Sequence, residues 1–228
     1  IYSQENFLDP ITAIVMGRSV SWGQQNSASR FTNLDPGSFR DIAAMSALTL
    51  GELLFNIHAL DQRVLQAADF SRKADLEDPL AFAAFAREVE SLSPASKSGA
   101  LANLKGYVAE QVVASQLVRQ GHLVEFPSAP NQAGWDLSVD GVKFQVKNTS
   151  DLSLLQRHFN SRYEYPVFAN AELASMLASG AAQAPEWADK VHFVEGFSKA
   201  AVEDITQQSV EVGDGMLHPH VPHFAITL

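Results

Sequence analysis

The sequence contains no cysteine, and this absence excludes disulfide-stapled scaffolds and thiolate metal sites. A cysteine-free composition fits the cytoplasm, which is the predicted location. No run of about 18 apolar residues occurs, so no membrane-spanning segment is expected. The sequence also lacks a Gly-rich phosphate-binding loop and a Gly-x-Ser-x-Gly motif. These two absences argue against a nucleotide-driven motor and against nucleophile-elbow hydrolase chemistry.

Positive charge is scarce as well, with 16 Lys and Arg residues against 26 Asp and Glu residues and a net charge of −10. The imbalance is uneven, because residues 98–164 carry 6 basic and 6 acidic side chains while both flanking segments are acidic. An acidic metal-dependent nuclease is physically reasonable, since the bound ion supplies local positive charge. The net charge therefore neither supports nor excludes a nucleic-acid partner.

Hydrophobic periodicity divides the chain into a helical region and an α/β region. Apolar residues recur mostly at three- and four-residue steps from Phe39 to Leu65, and Ser91–Gly99 then breaks the helical pattern like a linker. Beyond it the predicted order is helix, three strands, helix, strand, helix, strand. We therefore predict a helical N-terminal region over residues 1–97 and an α/β domain over residues 98–228, with helices layered on one mixed sheet.

The two ends of the chain resemble cuts in a longer protein. The first residue is Ile1 rather than Met, and the last residues, Phe224 to Leu228, form an apolar run. This leaves room for an additional domain beyond the visible ends.

The segment from Gly134 to Asn148 is the most informative part of the sequence. Apolar and polar residues alternate through it, interrupted once by Asp140-Gly141, a dipeptide typical of a tight β-hairpin. A two-residue loop pairs Val139 with Val142, Leu137 with Phe144 and Asp136 with Gln145, and paired residues share a face. The predicted apolar face consists of Trp135, Leu137, Val139, Val142, Phe144 and Val146.

The opposite face of the hairpin is polar and gathers groups that suit phosphodiester hydrolysis. It consists of Asp136, Ser138, Lys143, Gln145 and Lys147. Asp136 and Gln145 stand opposite each other, with Cβ atoms about 4.5–5.5 Å apart, which suits joint ligation of one divalent ion. Lys147 lies on the same face and, as a mobile point charge, suits the positioning of water. An ordinary amphipathic hairpin whose polar face meets solvent is the simpler alternative.

These residues resemble the PD-(D/E)xK, or restriction-endonuclease-like, nuclease superfamily, with Mrr-like endonucleases and Holliday-junction resolvases as the most similar branch. The matching pieces are Gly106–Glu110 in the first helix, Gly134–Asp136 in the second strand and Gln145–Lys147 in the third. The similarity extends from Leu101 to Phe168. Gln145 stands where Glu or Asp is usual, a departure that Mrr-like branches tolerate.

The resemblance implies a restriction-endonuclease-like mixed β-sheet and metal-dependent hydrolysis of DNA phosphodiester bonds. It implies that Glu110, Asp136 and Gln145 hold magnesium or manganese. Lys147 would orient the attacking water and steady the charge on the phosphate. DNA is then the expected partner, and a homodimer would let two sites address both strands.

Three basic residues after the hairpin are candidate phosphate contacts. Arg157 and His158 fall in a helix predicted from Asp151 to Phe159, and Arg162 follows it. Arg suits phosphate recognition because its guanidinium group donates several hydrogen bonds in a fixed geometry. A solvated helix face is the alternative interpretation.

Two other functions remain open. A nuclease fold without a working metal site would be a nucleic-acid-binding module, which Gln145 and the acidic composition favour. An interaction or structural protein would instead act through the helical region and leave Asp136 and Lys147 unclustered. The position of Glu110 relative to Asp136 distinguishes the nuclease from both.

Overall fold

The computed structural model shows helices on both faces of one β-sheet, over residues 50–72, 74–130, 134–161, 165–179 and 185–217. The helices are the segment 50–59, α1 (Gln62–Arg72), α2 (Pro79–Ser91), α3 (Pro94–Arg119), α4 (Leu152–Phe159), α5 (Glu172–Ser179) and α6 (Lys199–Leu217). The strands are β1 (Val124–Glu125), β2 (Leu137–Val139), β3 (Val142–Lys147), β4 (Val167–Ala169) and β5 (Val191–Phe193). The predicted α/β class with a mixed sheet is confirmed. No helix in the described ranges is long and apolar enough to cross a bilayer.

The sheet has the order β1-β2-β3-β4-β5, antiparallel from β1 to β3 and parallel from β3 to β5. In the β2–β3 hairpin, Leu137 pairs with Phe144 and Val139 with Val142, as the sequence predicts. Asp140 has a φ of 51° and Gly141 a φ of 84°. Positive φ at both loop residues is the geometry of a type I′ turn, which fixes this register.

The two faces of the sheet contact different helices. Val139 and Val146 belong to a core that also contains buried residues of α1, α2, α3 and α6, and Val167 and Ala169 pack with α4 and α5 on the other side. Trp135 departs from the predicted apolar face, because it precedes β2 and its ring centroid lies 5.1 Å from the Lys143 ammonium. The alternation of the strand therefore does not extend as far as Trp135, two residues before β2.

The predicted linker is a short helix–helix connection. α2 ends at Ser91 and α3 begins at Pro94, with the Ser93 hydroxyl accepting a hydrogen bond from the Ser96 amide as an N-cap. The predicted boundary at residue 97 thus falls inside α3, and the described helices before it share a core with the sheet. The pattern from residue 39 to 49 lies outside the described residues, so the division into two parts stays a prediction.

The sequence analysis missed helix α6, which packs against α2, α3 and the sheet core. Its buried positions include small or polar residues, so they do not form an apolar stripe. They are Val202, Thr206, Ser209, Val210, Gly213 and Met216. Both hydroxyl groups are hydrogen-bonded: Thr206 donates to the Val202 carbonyl at 2.6 Å within the helix, and Ser209 accepts from the distant Asp61 amide at 3.2 Å.

Replacing Gly213 by Ala is expected to destabilise the protein, because α2 and α6 approach closely there. An added Cβ would lie 2.9 Å from the Ala86 Cβ and 3.1 Å from the Phe82 ring. Overpacking of this kind costs about 1–3 kcal/mol and outweighs the helix propensity gained, about 1 kcal/mol. Gly215→Ala is the matched control, because nothing lies within 4 Å of its added Cβ. Urea unfolding should show a lower midpoint for Gly213→Ala only; an unchanged midpoint would contradict the close packing.

Candidate active site

Asp136 is fixed by hydrogen bonds at the open end of the β2–β3 hairpin. Its backbone amide donates to the Phe144 carbonyl at 2.8 Å, which continues the ladder one residue beyond β2. Its Oδ2 accepts from Gln145 Nε2 at 2.6 Å and from the Val146 amide at 2.8 Å. The structure thus places Asp136 beside Gln145, as the hairpin register predicts.

Glu110 reaches the same site from helix α3. Burial, followed by the negative charge of Asp136, raises the pKa of Glu110 to about 9, and the Lys147 ammonium opposes this shift. Glu110 is therefore protonated at neutral pH in the metal-free protein. Because Glu110 interacts with both Asp136 and Lys147, the helix and the hairpin contribute to one electrostatic cluster.

The Asp136 carboxyl responds to opposing influences. Burial raises its pKa above the ordinary value, whereas the Val146 amide, the Lys147 ammonium and the Gln145 side chain favour the charged form. Burial prevails in this balance. Two half-buried carboxyl groups with raised pKa values are thus held close together. Perturbed pKa values of this kind are typical of functional sites.

Lys147 lies at the carboxyl end of β3 and on the same face as Gln145. Their positions are set by the parallel pairing of Gln145 with Val167 and of Lys147 with Ala169. Lys147 interacts electrostatically with both carboxyl groups and with His158. The four residues of the predicted catalytic set therefore meet at one place in the structure.

A cleft of about 420 Å³ opens over Gln145 and Lys147, between the end of β3 and helix α4. This volume falls in the range of small-molecule sites, about 300–1,000 Å³. The cleft is lined by Gly134, Gln145, Lys147, Asn148, Thr149, Leu154, Arg157, His158 and Ser161. Helix α4 forms one wall and begins at a capped end, because Asp151 accepts a hydrogen bond from the Ser153 amide at 2.8 Å.

The predicted phosphate contacts differ in their surroundings. Arg157 is exposed on the wall of the cleft, where a phosphate would be accessible to it. His158 is buried, its Nε2 lies 2.8 Å from the Tyr165 carbonyl, and burial above all lowers its pKa. Burial thus favours its neutral form. Arg162 lies outside the described residues, and all three contacts stay predictions.

Tyr107 belongs to the site, although the sequence analysis gave it no role. Its hydroxyl donates to the Pro130 carbonyl at 3.0 Å, and burial, followed by the charges of Glu110 and Asp136, raises its pKa. The signal was present in the sequence, because Tyr107 lies three residues before Glu110 and residues at this spacing share a helix face.

The chemistry of the donors fits one divalent cation. Glu110 and Asp136 supply carboxylate oxygens, and magnesium is commonly bound through one or two carboxylates with water completing its shell. Gln145 uses Nε2 to contact Asp136, which leaves its Oε1 as a ligand atom. A positive ion would also relieve the repulsion between the two carboxylates. Within the described ranges, no group of three His, Cys, Asp or Glu side chains is arranged to hold a metal ion.

Comparison with known proteins adds no relative to this description. No family model matches the chain, and neither a curated protein nor a solved structure does. The function must therefore be argued from the residues of the site.

Proposed function

We propose that this chain is a divalent-metal-dependent nuclease that hydrolyses DNA phosphodiester bonds on a restriction-endonuclease-like fold. The observation that carries the proposal is the electrostatic cluster of Glu110, Asp136 and Lys147, to which an α-helix and a β-hairpin both contribute. An ordinary solvated hairpin would not bury two carboxyl groups against each other. A metal-binding site gives the proximity of these two carboxyl groups a physical reason.

The roles follow from chemistry and position. Glu110, Asp136 and Gln145 would hold magnesium or manganese, which supplies an activated water and neutralises charge on the phosphate. Lys147, at the edge of the cleft, donates hydrogen bonds to the attacking water or to a phosphate oxygen. Hydrolysis adds the water oxygen to phosphorus and breaks one P–O ester bond, and the leaving oxygen takes up a proton. Arg157 is placed to contact a neighbouring phosphate.

Nicking of supercoiled plasmid DNA tests the proposal. With magnesium or manganese we expect cleavage by the wild type and a loss of about 10³-fold or more in Asp136→Asn, which removes the charge but keeps the shape. Glu211→Gln is the matched control, because it removes one carboxylate from the exposed face of α6. Thermal unfolding verifies that all three proteins are folded.

The opposite outcome favours the binding module. If folded wild type cleaves no DNA and gains no thermal stability from magnesium or manganese, the catalytic proposal is wrong. Gln145, which gives the site one negative charge fewer than an acid would, then becomes the explanation. Retained binding of DNA would separate this module from a structural protein.

A further inference from the structure

Two asparagines lie at the carboxyl ends of adjacent parallel strands, immediately beyond the predicted catalytic lysine. Lys147 pairs with Ala169 in the β3–β4 ladder, so Asn148 and Asn170 follow in register. The Asn170 Nδ2 donates to the Asn148 Oδ1 at 3.1 Å. In open α/β sheets, the carboxyl ends of parallel strands are where ligands commonly bind.

The environments of the two residues differ. Asn148 is half-buried and lines the cleft, whereas Asn170 is fully buried, with 0% of its surface exposed. Among the described residues, the Asn170 Oδ1 has no hydrogen-bond partner. An unpaired buried polar atom is unfavourable, and a fold that needed only packing here would be served better by an apolar residue of the same shape. We therefore attribute the presence of Asn170 to its Nδ2 group, which donates the hydrogen bond to Asn148.

The hydrogen bond determines which way the Asn148 amide faces. Because Asn148 uses Oδ1 to accept from Asn170, its Nδ2 and two N–H groups remain for the cleft. The reverse orientation of both amides would bury the Asn170 nitrogen with its hydrogens unpaired, and orphaned N–H groups are rarer than under-satisfied carbonyls. The cleft thus receives an amide donor beside the Lys147 ammonium and the Arg157 guanidinium.

We propose that Asn148 binds a phosphate oxygen of the nucleic acid through its side-chain amide, and that Asn170 is the positioning residue that directs this amide into the cleft. The inference rests on the proposed function and adds a substrate-binding residue to it. A neutral donor next to two cations suits a phosphodiester, which offers two unesterified oxygens at every position along the strand. Asn148 contacts the substrate in the ground and transition states alike, so it contributes to binding more than to the chemical step.

Steady-state cleavage by the full chain tests both roles. We expect Asn148→Ala to raise KM about tenfold with little change in kcat, the effect of losing one hydrogen bond to a charged group. Asn170→Leu keeps the branching but removes the donor, and should raise KM similarly. The double variant should be no worse than Asn148→Ala, because Asn170 acts through Asn148. Asn103→Ala, an exposed change on α3, is the control.

Several outcomes would overturn the inference. An unchanged KM in Asn148→Ala would show that Asn148 does not contact the substrate. If the two single-variant increases in KM multiply in the double variant, Asn170 acts independently of Asn148 and has only a structural role. A readout independent of cleavage is the side-chain amide signal of Asn148 in ¹⁵N-labelled protein, which should shift when a short DNA duplex is added with calcium in place of magnesium.

The same spectra distinguish this inference from the proposed function. If DNA binds and is cleaved while the Asn148 amide signal does not move, the inference alone is wrong. If the duplex neither binds nor is cleaved by folded protein, the proposed function is wrong and the inference is overturned with it.

Discussion

Replacing Lys147 by Met is expected to lower the rate of DNA cleavage by about 10²- to 10³-fold, the usual effect of removing one donor aimed at developing charge. Met keeps the length and flexibility of the side chain but not the ammonium group. Lys147 interacts with both carboxyl groups, so its loss removes a positive charge from the metal-free site. Manganese binding should therefore persist, or even strengthen, while cleavage is lost. Single-turnover cleavage together with a manganese titration would measure the two effects separately.

Lys143→Met is the matched control for this substitution. Lys143 lies on the same strand and the same face, four residues earlier, but it is exposed and stands over the Trp135 ring rather than in the cleft. We expect its cleavage rate to stay within a few-fold of wild type. Equal losses of cleavage rate in Lys143→Met and Lys147→Met would mean that general electrostatic attraction of DNA, and not a positioned ammonium group, explains the effect.

Metal affinity is expected to rise steeply with pH, by up to about tenfold per unit between pH 6.5 and 8.5. The pKa of Glu110 is raised to about 9, so below that pH a cation must displace a proton from this carboxyl group. The affinity should level off above pH 9, where the carboxylate is already free. Free manganese, measured by electron paramagnetic resonance during titration, gives the affinity at each pH. A flat profile over this range would contradict the raised pKa.

The same carboxyl group gives the metal-free protein an unusual pH dependence of stability. The folded-state pKa of about 9 exceeds the ordinary value of 4.5, so the folded protein holds this proton more tightly than the unfolded chain. This contribution to stability is fully present below pH 4.5 and is lost as the pH rises towards 9. Glu110→Gln should therefore raise the melting temperature at pH 8.5 more than at pH 5 and flatten the pH dependence of manganese affinity.

The polar face of the hairpin could be predicted because its geometry is local. The Asp140-Gly141 loop determines the register, and a register with a period of two residues assigns Asp136, Gln145 and Lys147 to one face. The position of Glu110 could not be predicted in this way, because helical periodicity indicates which face of the helix it lies on but not what that face contacts. Only the resemblance to a nuclease family placed it near Asp136.

Contacts between distant segments could not be predicted in the same way. Asn148 meets Asn170 through parallel pairing across the α4 connection, and no sequence pattern specifies which residues of two short parallel strands align. The helical region and the sheet likewise share one core because α3 runs through the expected boundary. Ser and Pro residues near position 93 signalled a break, but they mark a capped helix start as well as a linker.

Strand β3 is the one described strand that pairs antiparallel on one side and parallel on the other. We therefore expect its two edges to form at different times when the chain refolds. A hairpin closes in about 1–10 μs, whereas parallel pairing with β4 must wait until the intervening helix has bridged a longer loop. Asp136 and Gln145 can thus meet early, while Asn148 finds Asn170 only after the crossover is made. We expect a refolding chain to bring Asp136 and Gln145 together first and to complete its cleft last.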